Sequence, residues 1–211
     1  MYRLAGGGLG LFLLVGLWAA GAAIAATPEP VGQVVAERGD VRVAREGAER
    51  ALTEGDFVFE QDRIVTGAAE SNVQIVFSDR SSLAIGAESE VLLSRYRAGS
   101  AGARLEAVID LVLGILRATV EGSGRRAPFE VRSRTAVASA RGTDWIVEAM
   151  SDRTAVFVVS GRVGVSAYGG LGSLVLTDGY GTDVLENRAP KRPKRWGDAR
   201  VEDALERTRI P

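Results

Sequence analysis

The chain has 211 residues, 46% of them hydrophobic and 25% charged, which is a globular rather than a disordered composition. It contains no cysteine and no histidine. That excludes disulfides, thiol catalysis, Ser-His-Asp triads, zinc ribbons and iron–sulfur sites. The formal net charge is −1, so no field over the whole protein recruits nucleic acid, but residues 26–187 carry −6 and residues 188–211 carry +4.

Residues 1–25 have the pattern of an export signal. Arg3 is the only charge, Leu9 to Ala20 is a short apolar core, and Ala23-Ile24-Ala25 fits the small-x-small cleavage rule. The alternative is an inner-membrane anchor, because the uncharged run at residues 4–26 is long enough to cross a bilayer. On either reading the rest of the chain is expected in the periplasm or outside the cell. Residues 26–30 form a linker whose Pro28 and Pro30 do not suit a central strand.

From residue 31 onward, short apolar runs alternate with turn residues. Val31 to Ala36, Val41-Arg42-Val43, Phe57-Val58-Phe59, Ile64-Val65-Thr66 and Val73 to Phe77 have strand character. Leu83 and Ile85, Val91-Leu92-Leu93, Phe129-Glu130-Val131, Thr154 to Val159, Val163 with Val165, Leu174-Val175-Leu176 and Val184-Leu185 continue the pattern. Turn signals at this spacing predict an all-β domain over 31–187. Residues 104–120 are too apolar to show one period. Gly114 in their middle favours two strands, with a short helix near 103–109 as the alternative. Gly122-Ser123-Gly124 marks a turn.

Two stretches resemble copies of one unit. Gly39-Asp40-Val41-Arg42-Val43 is followed by Leu52-Thr53-Glu54-Gly55-Asp56, and Gly161-Arg162-Val163-Gly164-Val165 by Leu176-Thr177-Asp178-Gly179-Tyr180. The fold class expected is therefore all-β, with stacked short strands forming a twisted β-sandwich or a short β-solenoid. An N-terminal signal helix and a short C-terminal helix would flank it.

Residues 188–211 form a basic tail. Its first part, Arg188 to Arg195, holds five charges and two prolines and is expected to be a solvated, extended spacer. Beyond it, Gly197 to Ile210 allows a helix with Asp198 as cap and Val201, Ala204 and Leu205 on one face.

The densest motif is Arg134 to Val147, two strand-like pieces meeting at Gly142. Thr135-Ala136-Val137-Ala138-Ser139-Ala140-Arg141-Gly142-Thr143, followed by Trp145 and Val147, resembles the FecR domain family. So do Gly32-Gln33-Val34 with Gly39-Asp40-Val41, Leu52 to Asp56, Ile64 to Gly67, Val73 to Asp79 and the Gly161 and Leu176 pieces, in order over about 31–187. The resemblance implies an extracytoplasmic all-β sensory or interaction module. The best-known members relay a signal from an outer-membrane receptor to a sigma factor. Here no cytoplasmic segment precedes the apolar run, so direct contact with a sigma factor is not expected. Arg80 also follows Asp79 where the family usually has glycine.

Candidate partner-binding residues are Arg141, Gly142, Thr143 and Trp145. Arg141 is suited to a carboxylate, while Gly142 and Thr143 also fit a purely structural bulge. Lys191, Arg192, Lys194 and Arg195 are candidate contacts to an anionic membrane surface or an acidic partner, at about 1 kcal/mol per basic residue near a membrane. Asp56, Glu60 and Asp62 are the densest acidic cluster, and Trp145, Tyr168, Tyr180 and Trp196 are candidates for a sugar-binding face. The expectation is a non-enzymatic module without cofactor, metal or nucleic acid, contacting another envelope protein. The alternative is a glycan- or envelope-binding domain.

Overall fold

The computed structural model describes residues 28–68, 70–99, 104–122 and 127–210. The export signal or anchor, the start of the linker and most of the turn at 122–124 lie outside the described residues. The first four strands are β1 (Pro30–Arg38), β2 (Val41–Arg45), β3 (Ala48–Ala51) and β4 (Phe57–Phe59). The middle of the chain supplies β5 (Arg63–Thr66), β6 (Asn72–Phe77), β7 (Ser82–Ile85), β8 (Glu90–Ala98), β9 (Arg104–Thr119) and β10 (Phe129–Arg132). Then come β11 (Ala136–Ala140), β12 (Asp144–Ala149), β13 (Arg153–Ser160), β14 (Arg162–Ala167), β15 (Ser173–Thr177), β16 (Tyr180–Leu185) and β17 (Lys194–Arg195). One helix, α1 (Asp198–Arg207), follows. Pro30, assigned to the linker by sequence, opens β1, where a proline costs no ladder bond.

The strands form one continuous array folded into two leaves that share β9. One leaf runs β4-β1-β6-β7-β9-β12-β13-β16-β17. The other runs β3-β2-β5-β8-β9-β10-β11-β14-β15. Among the described residues only β9 and β10 pair in parallel. The array is a twisted sandwich that does not close into a barrel.

Arg104–Thr119 is one strand, so the segment is neither two strands nor a helix. The N-terminal part of β9 pairs with β8 and β10, and its C-terminal part with β7 and β12. The change of leaf falls at Gly114, with φ +97°. A Cβ there would lie 2.1 Å from Ser89 Oγ, so only glycine fits. The predicted break was a bend: Leu111 before it and Leu116 after it face the core, while Val112 and Leu113 beside it are about half exposed, so the run shows no single alternation.

Inward residues of both leaves make one core, from Val34, Ile75, Leu83 and Val156 on one side to Ile64, Val91, Val131 and Val163 on the other. The outer face of the first leaf is apolar as well. Ile115, Ile146, Ala155 and Phe157 are covered there by Trp196 and Ala204, with Val201 and Leu205 packed against them. Trp196 stacks on Phe157 at 4.8 Å. The helix therefore buries the face expected from its spacing, but Gly197 is its N-cap and Asp198 is its first residue. An acid there still favours the helix N-terminus electrostatically. Among the described residues no helix is long and apolar enough to cross a membrane.

The two sequence copies have the same fold. In the first, β1 leads through Gly39 to the β2–β3 hairpin, then through Gly55 to β4, which returns to pair with β1. In the second, β13 leads through Gly161 to the β14–β15 hairpin, then through Gly179 to β16, which pairs with β13. All four glycines have positive φ.

Candidate functional site

Arg141, Gly142 and Thr143 form the corner where β11 leaves one leaf and β12 enters the other. Before it, Ala136, Ala138 and Ala140 point into the core and Val137 and Ser139 outward. After it, Trp145, Ile146 and Val147 are all buried. Trp145 and Val147 face the main core, and Ile146 faces the cluster under α1. That is why the apolar run shows no alternation.

Gly142 has φ +62°, and a Cβ on it would lie 2.8 Å from Gly122 Cα. Glycine is needed for both conformation and space. Thr143 is buried, and its Oγ lies within hydrogen-bonding distance of the carbonyl oxygens of Arg141 (3.2 Å) and Arg162 (3.0 Å). Its backbone exchanges hydrogen bonds with Val120. Next to it, Arg117 holds Asp144 through two hydrogen bonds of 2.8 and 2.6 Å. Hydrogen bonding to Asp144 raises the pKa of Arg117. Gly142, Thr143 and Trp145 are thus architectural. The Arg141 side chain is exposed and, among the described residues, makes no hydrogen bond or ion pair.

The basic tail is ordered, not a free spacer. Lys191 donates its backbone N–H to the Asp183 carbonyl and accepts from Thr182 Oγ at 2.7 Å. Lys194 and Arg195 pair with Gly181 and Tyr180 as β17, and Arg195 lies over the Tyr180 ring. The run is too charged to bury, but Trp196 beyond it anchors it. Lys191, Arg192, Lys194 and Arg195 all remain exposed.

The acidic cluster is dispersed. Asp62 is fully buried, held by Arg45 at 2.5 and 2.7 Å and by the Phe59 N–H at 2.8 Å. Asp56 closes its own turn by accepting from Thr53 N–H at 2.9 Å. That bond, with Arg50 beside it, lowers its pKa. Glu60 accepts the Tyr96 N–H. Each carboxylate thus serves a different local structure. The aromatic candidates are likewise separated, Trp145 in the main core and Trp196 in the cluster under α1, while Tyr168 is 56% exposed.

The sequence reading missed a buried charged network at the β6–β7 turn. Asp79 and Arg104 are both fully buried and paired with each other. Asp79 also accepts from Tyr96 Oη (2.7 Å), Ser81 N–H (2.9 Å) and Ser81 Oγ (2.9 Å), and Arg104 donates to the Ala127 carbonyl at 3.0 Å. Burial pushes the Asp79 pKa up, but the hydrogen bonds from Tyr96 and Ser81 and the charge of Arg104 outweigh it and leave it below the ordinary carboxylate value. Burial, aided by Asp79, raises the pKa of Tyr96. The only sequence signal was Asp79 within the FecR-like stretch, since its partner lies 25 residues away.

An all-β sandwich with a leaf-crossing Arg-Gly-Thr corner defines the class of domain. Residues 62–164 match the FecR family model, described as FecR protein. The FecR resemblance is thereby shown over that span. No curated protein sequence matches the chain. Two crystal structures of a "putative anti-sigma factor" from Parabacteroides distasonis ATCC 8503 share the fold, with TM-scores of 0.54 and 0.53 and identities of 19% and 20%. Each alignment covers 68% of this chain, and this chain spans 63% and 64% of those proteins.

Proposed function

We propose that this chain is an exported, non-catalytic regulatory module that acts by protein–protein contact in the cell envelope. The observation that carries the reading is the FecR match over residues 62–164. The anti-sigma description of the Parabacteroides proteins supports a place in signalling. The apolar leader at residues 1–25 supports export. Arg141 is the proposed contact, because its guanidinium is exposed at the Arg-Gly-Thr corner, is unpaired among the described residues, and is suited to a carboxylate of the partner. The exposed basic strap from Lys191 to Arg195 offers a second surface for an acidic protein or anionic lipid.

The test is in-cell crosslinking of the tagged full chain in its native host, with mass spectrometry of the captured proteins and of the mature N-terminus. Capture of a receptor or a membrane regulator, lost in Arg141→Ala with the melting curve unchanged, is the expected result. Retention of glycan fragments without any protein would overturn the reading in favour of envelope-polymer binding.

A further inference from the structure

The array has four strand edges among the described residues: β4 and β17 on one leaf, β3 and β15 on the other. Free edges invite pairing with other chains unless they are short, charged or interrupted by proline. Three of the four are protected in those ways. β4 has three residues, β17 has two basic residues directly after Pro193, and β3 carries Glu49 and Arg50. β15 is different. It has five residues, Ser173-Leu174-Val175-Leu176-Thr177, with no charge and no proline. It pairs only with β14 among the described residues, and Val175 at its centre is 61% exposed.

We infer that β15 is a self-association edge whose occupant is β15 of a second copy of this chain. The strand is symmetric about Val175, with hydroxyl, leucine, valine, leucine, hydroxyl. Antiparallel pairing about a two-fold axis at Val175 sets Val175 against its own copy, each Leu174 against Leu176, and each Ser173 against Thr177. The hydroxyl and valine pairs lie on the exposed side and the leucines lean towards the core, as in β15 itself. Such an isologous interface closes at two copies and leaves no new edge on that leaf.

The charges tolerate the arrangement. Arg162, opposite Thr177 on β14, is the nearest cation in the ladder. Three strand spacings and four residues separate it from its symmetry mate, about 20 Å. That is beyond the screening length of about 8 Å at physiological salt. Tyr168 and Leu171, 56% and 49% exposed at the β14–β15 tip, enlarge the apolar surface beside the edge.

The absence of cysteine permits a direct test with the full chain. Val175→Cys places one thiol on the proposed axis, where opposed strand positions suit a disulfide. Glu49→Cys, on the corresponding edge β3, measures collisional crosslinking. In cells under mild oxidation, Val175→Cys is expected to give disulfide-linked homodimer at least tenfold above Glu49→Cys. Equal yields, or crosslinking mainly to a different protein, would overturn the proposal. In detergent, light scattering is expected to give a protein mass of two chains for the unaltered protein and one chain for Val175→Lys, with the same melting curve. A single-chain mass for the unaltered protein at micromolar concentration would equally overturn it. Neither result bears on the proposed envelope function, which does not depend on self-association.

Discussion

At one end of the array Gly39 carries the chain from β1 to β2 beside Ser71, whose Oγ accepts the Asp40 N–H at 3.1 Å. At the other end Gly161 carries it from β13 to β14 beside Thr143, whose Oγ accepts the Arg162 N–H at 3.3 Å. The flanking strands correspond too. β5 pairs with β2 and β6 with β1, as β11 pairs with β14 and β12 with β13. In the first end this flanking pair follows the four-strand unit, and in the second it precedes it. The comparison separates architecture from function. Gly142 and Thr143 have counterparts in the Gly67–Ser71 link, so a leaf-crossing corner of this kind uses a glycine and a hydroxyl whatever the protein does. Arg141 has no charged counterpart: by ladder register Thr66, opposite Val41, matches Ala140, opposite Val163, and the next residue, in the place of Arg141, is Gly67.

The ends also differ in how they are tied down. The first uses the buried Asp79–Arg104–Tyr96 network. The core of the second uses neutral hydroxyls, Thr154 Oγ lying 2.7 Å from both Ser133 Oγ and Thr135 Oγ and Thr135 donating to the Val184 carbonyl. Among the described residues its buried Asp183 is paired only with the partly exposed Arg200, at 3.2 Å. Removing one member of a buried ion pair strands the other charge, so Asp79→Ala should cost about 3–5 kcal/mol in urea unfolding. Thr154→Val should cost about 1–3 kcal/mol, the scale of unsatisfied neutral partners. Equal losses would mean that charge is not what distinguishes the two ends.

The difference extends to pH. The Asp79 pKa is lower in the folded chain than the unfolded value of about 3.9. Its contribution is therefore present above about pH 3.9 and is lost as pH falls through the depressed folded value. Hydroxyls do not titrate there, so acid should loosen the first end before the second. Hydrogen exchange near pH 3 is expected to lose protection in β6 to β8 before β13 to β16. Asp79→Asn should flatten the acid limb of the stability curve. An unchanged acid limb in that variant would remove Asp79 as its source.

The corner glycines test the equivalence itself. A Cβ on Gly39 would lie 2.6 Å from Ser71 Oγ, and one on Gly161 would lie 2.8 Å from Thr143 Oγ, with φ of +75° and +100°. The left-handed conformation alone costs about 1–2 kcal/mol for an L-residue. With the contact added, Gly39→Ala and Gly161→Ala should each lose about 2–3 kcal/mol by thermal or urea denaturation. A neutral result at either position would break the correspondence between the ends.

What the sequence revealed follows the range of its signals. Alternation exposed Val41-Arg42-Val43 as a strand, and the glycines at 39, 55, 161 and 179 exposed the repeated unit, because those signals are local. The permuted flanking pairs were invisible, since Ser71 and Thr143 are different residues on opposite sides of their units. The continuous apolar run at 104–120 hid a strand that belongs to both leaves. Trp196 and Phe157 stack across 39 residues of sequence, which is why a tail of basic residues and prolines looked like a free spacer. Of the candidate site, the position of the corner was legible, but the division between structural Gly142 and Thr143 and available Arg141 required the packing against Gly122.

The smallest expected effect concerns how the two ends make their turns. Six non-glycine residues have positive φ among the described residues, and five of them, Glu46, Gln61, Glu70, Arg80 and Glu88, precede β9. Only Asn187, a residue that tolerates this conformation, follows it. The first end therefore holds more backbone strain than the second. Arg80 is the clearest case, exposed at φ +70° with its N–H donated to the Phe77 carbonyl at 2.9 Å. The turn thus holds a non-glycine residue in the left-handed conformation that glycine adopts without strain. Relief of about 1–2 kcal/mol of left-handed strain, less the added unfolded-state freedom of glycine, leaves a gain of about 0.5–1 kcal/mol for Arg80→Gly. Paired melting curves of Arg80→Gly and Gly179→Arg decide the point. The first should rise and the second fall by similar amounts, and a loss in both would show that the Arg80 side chain contributes something its conformation does not reveal.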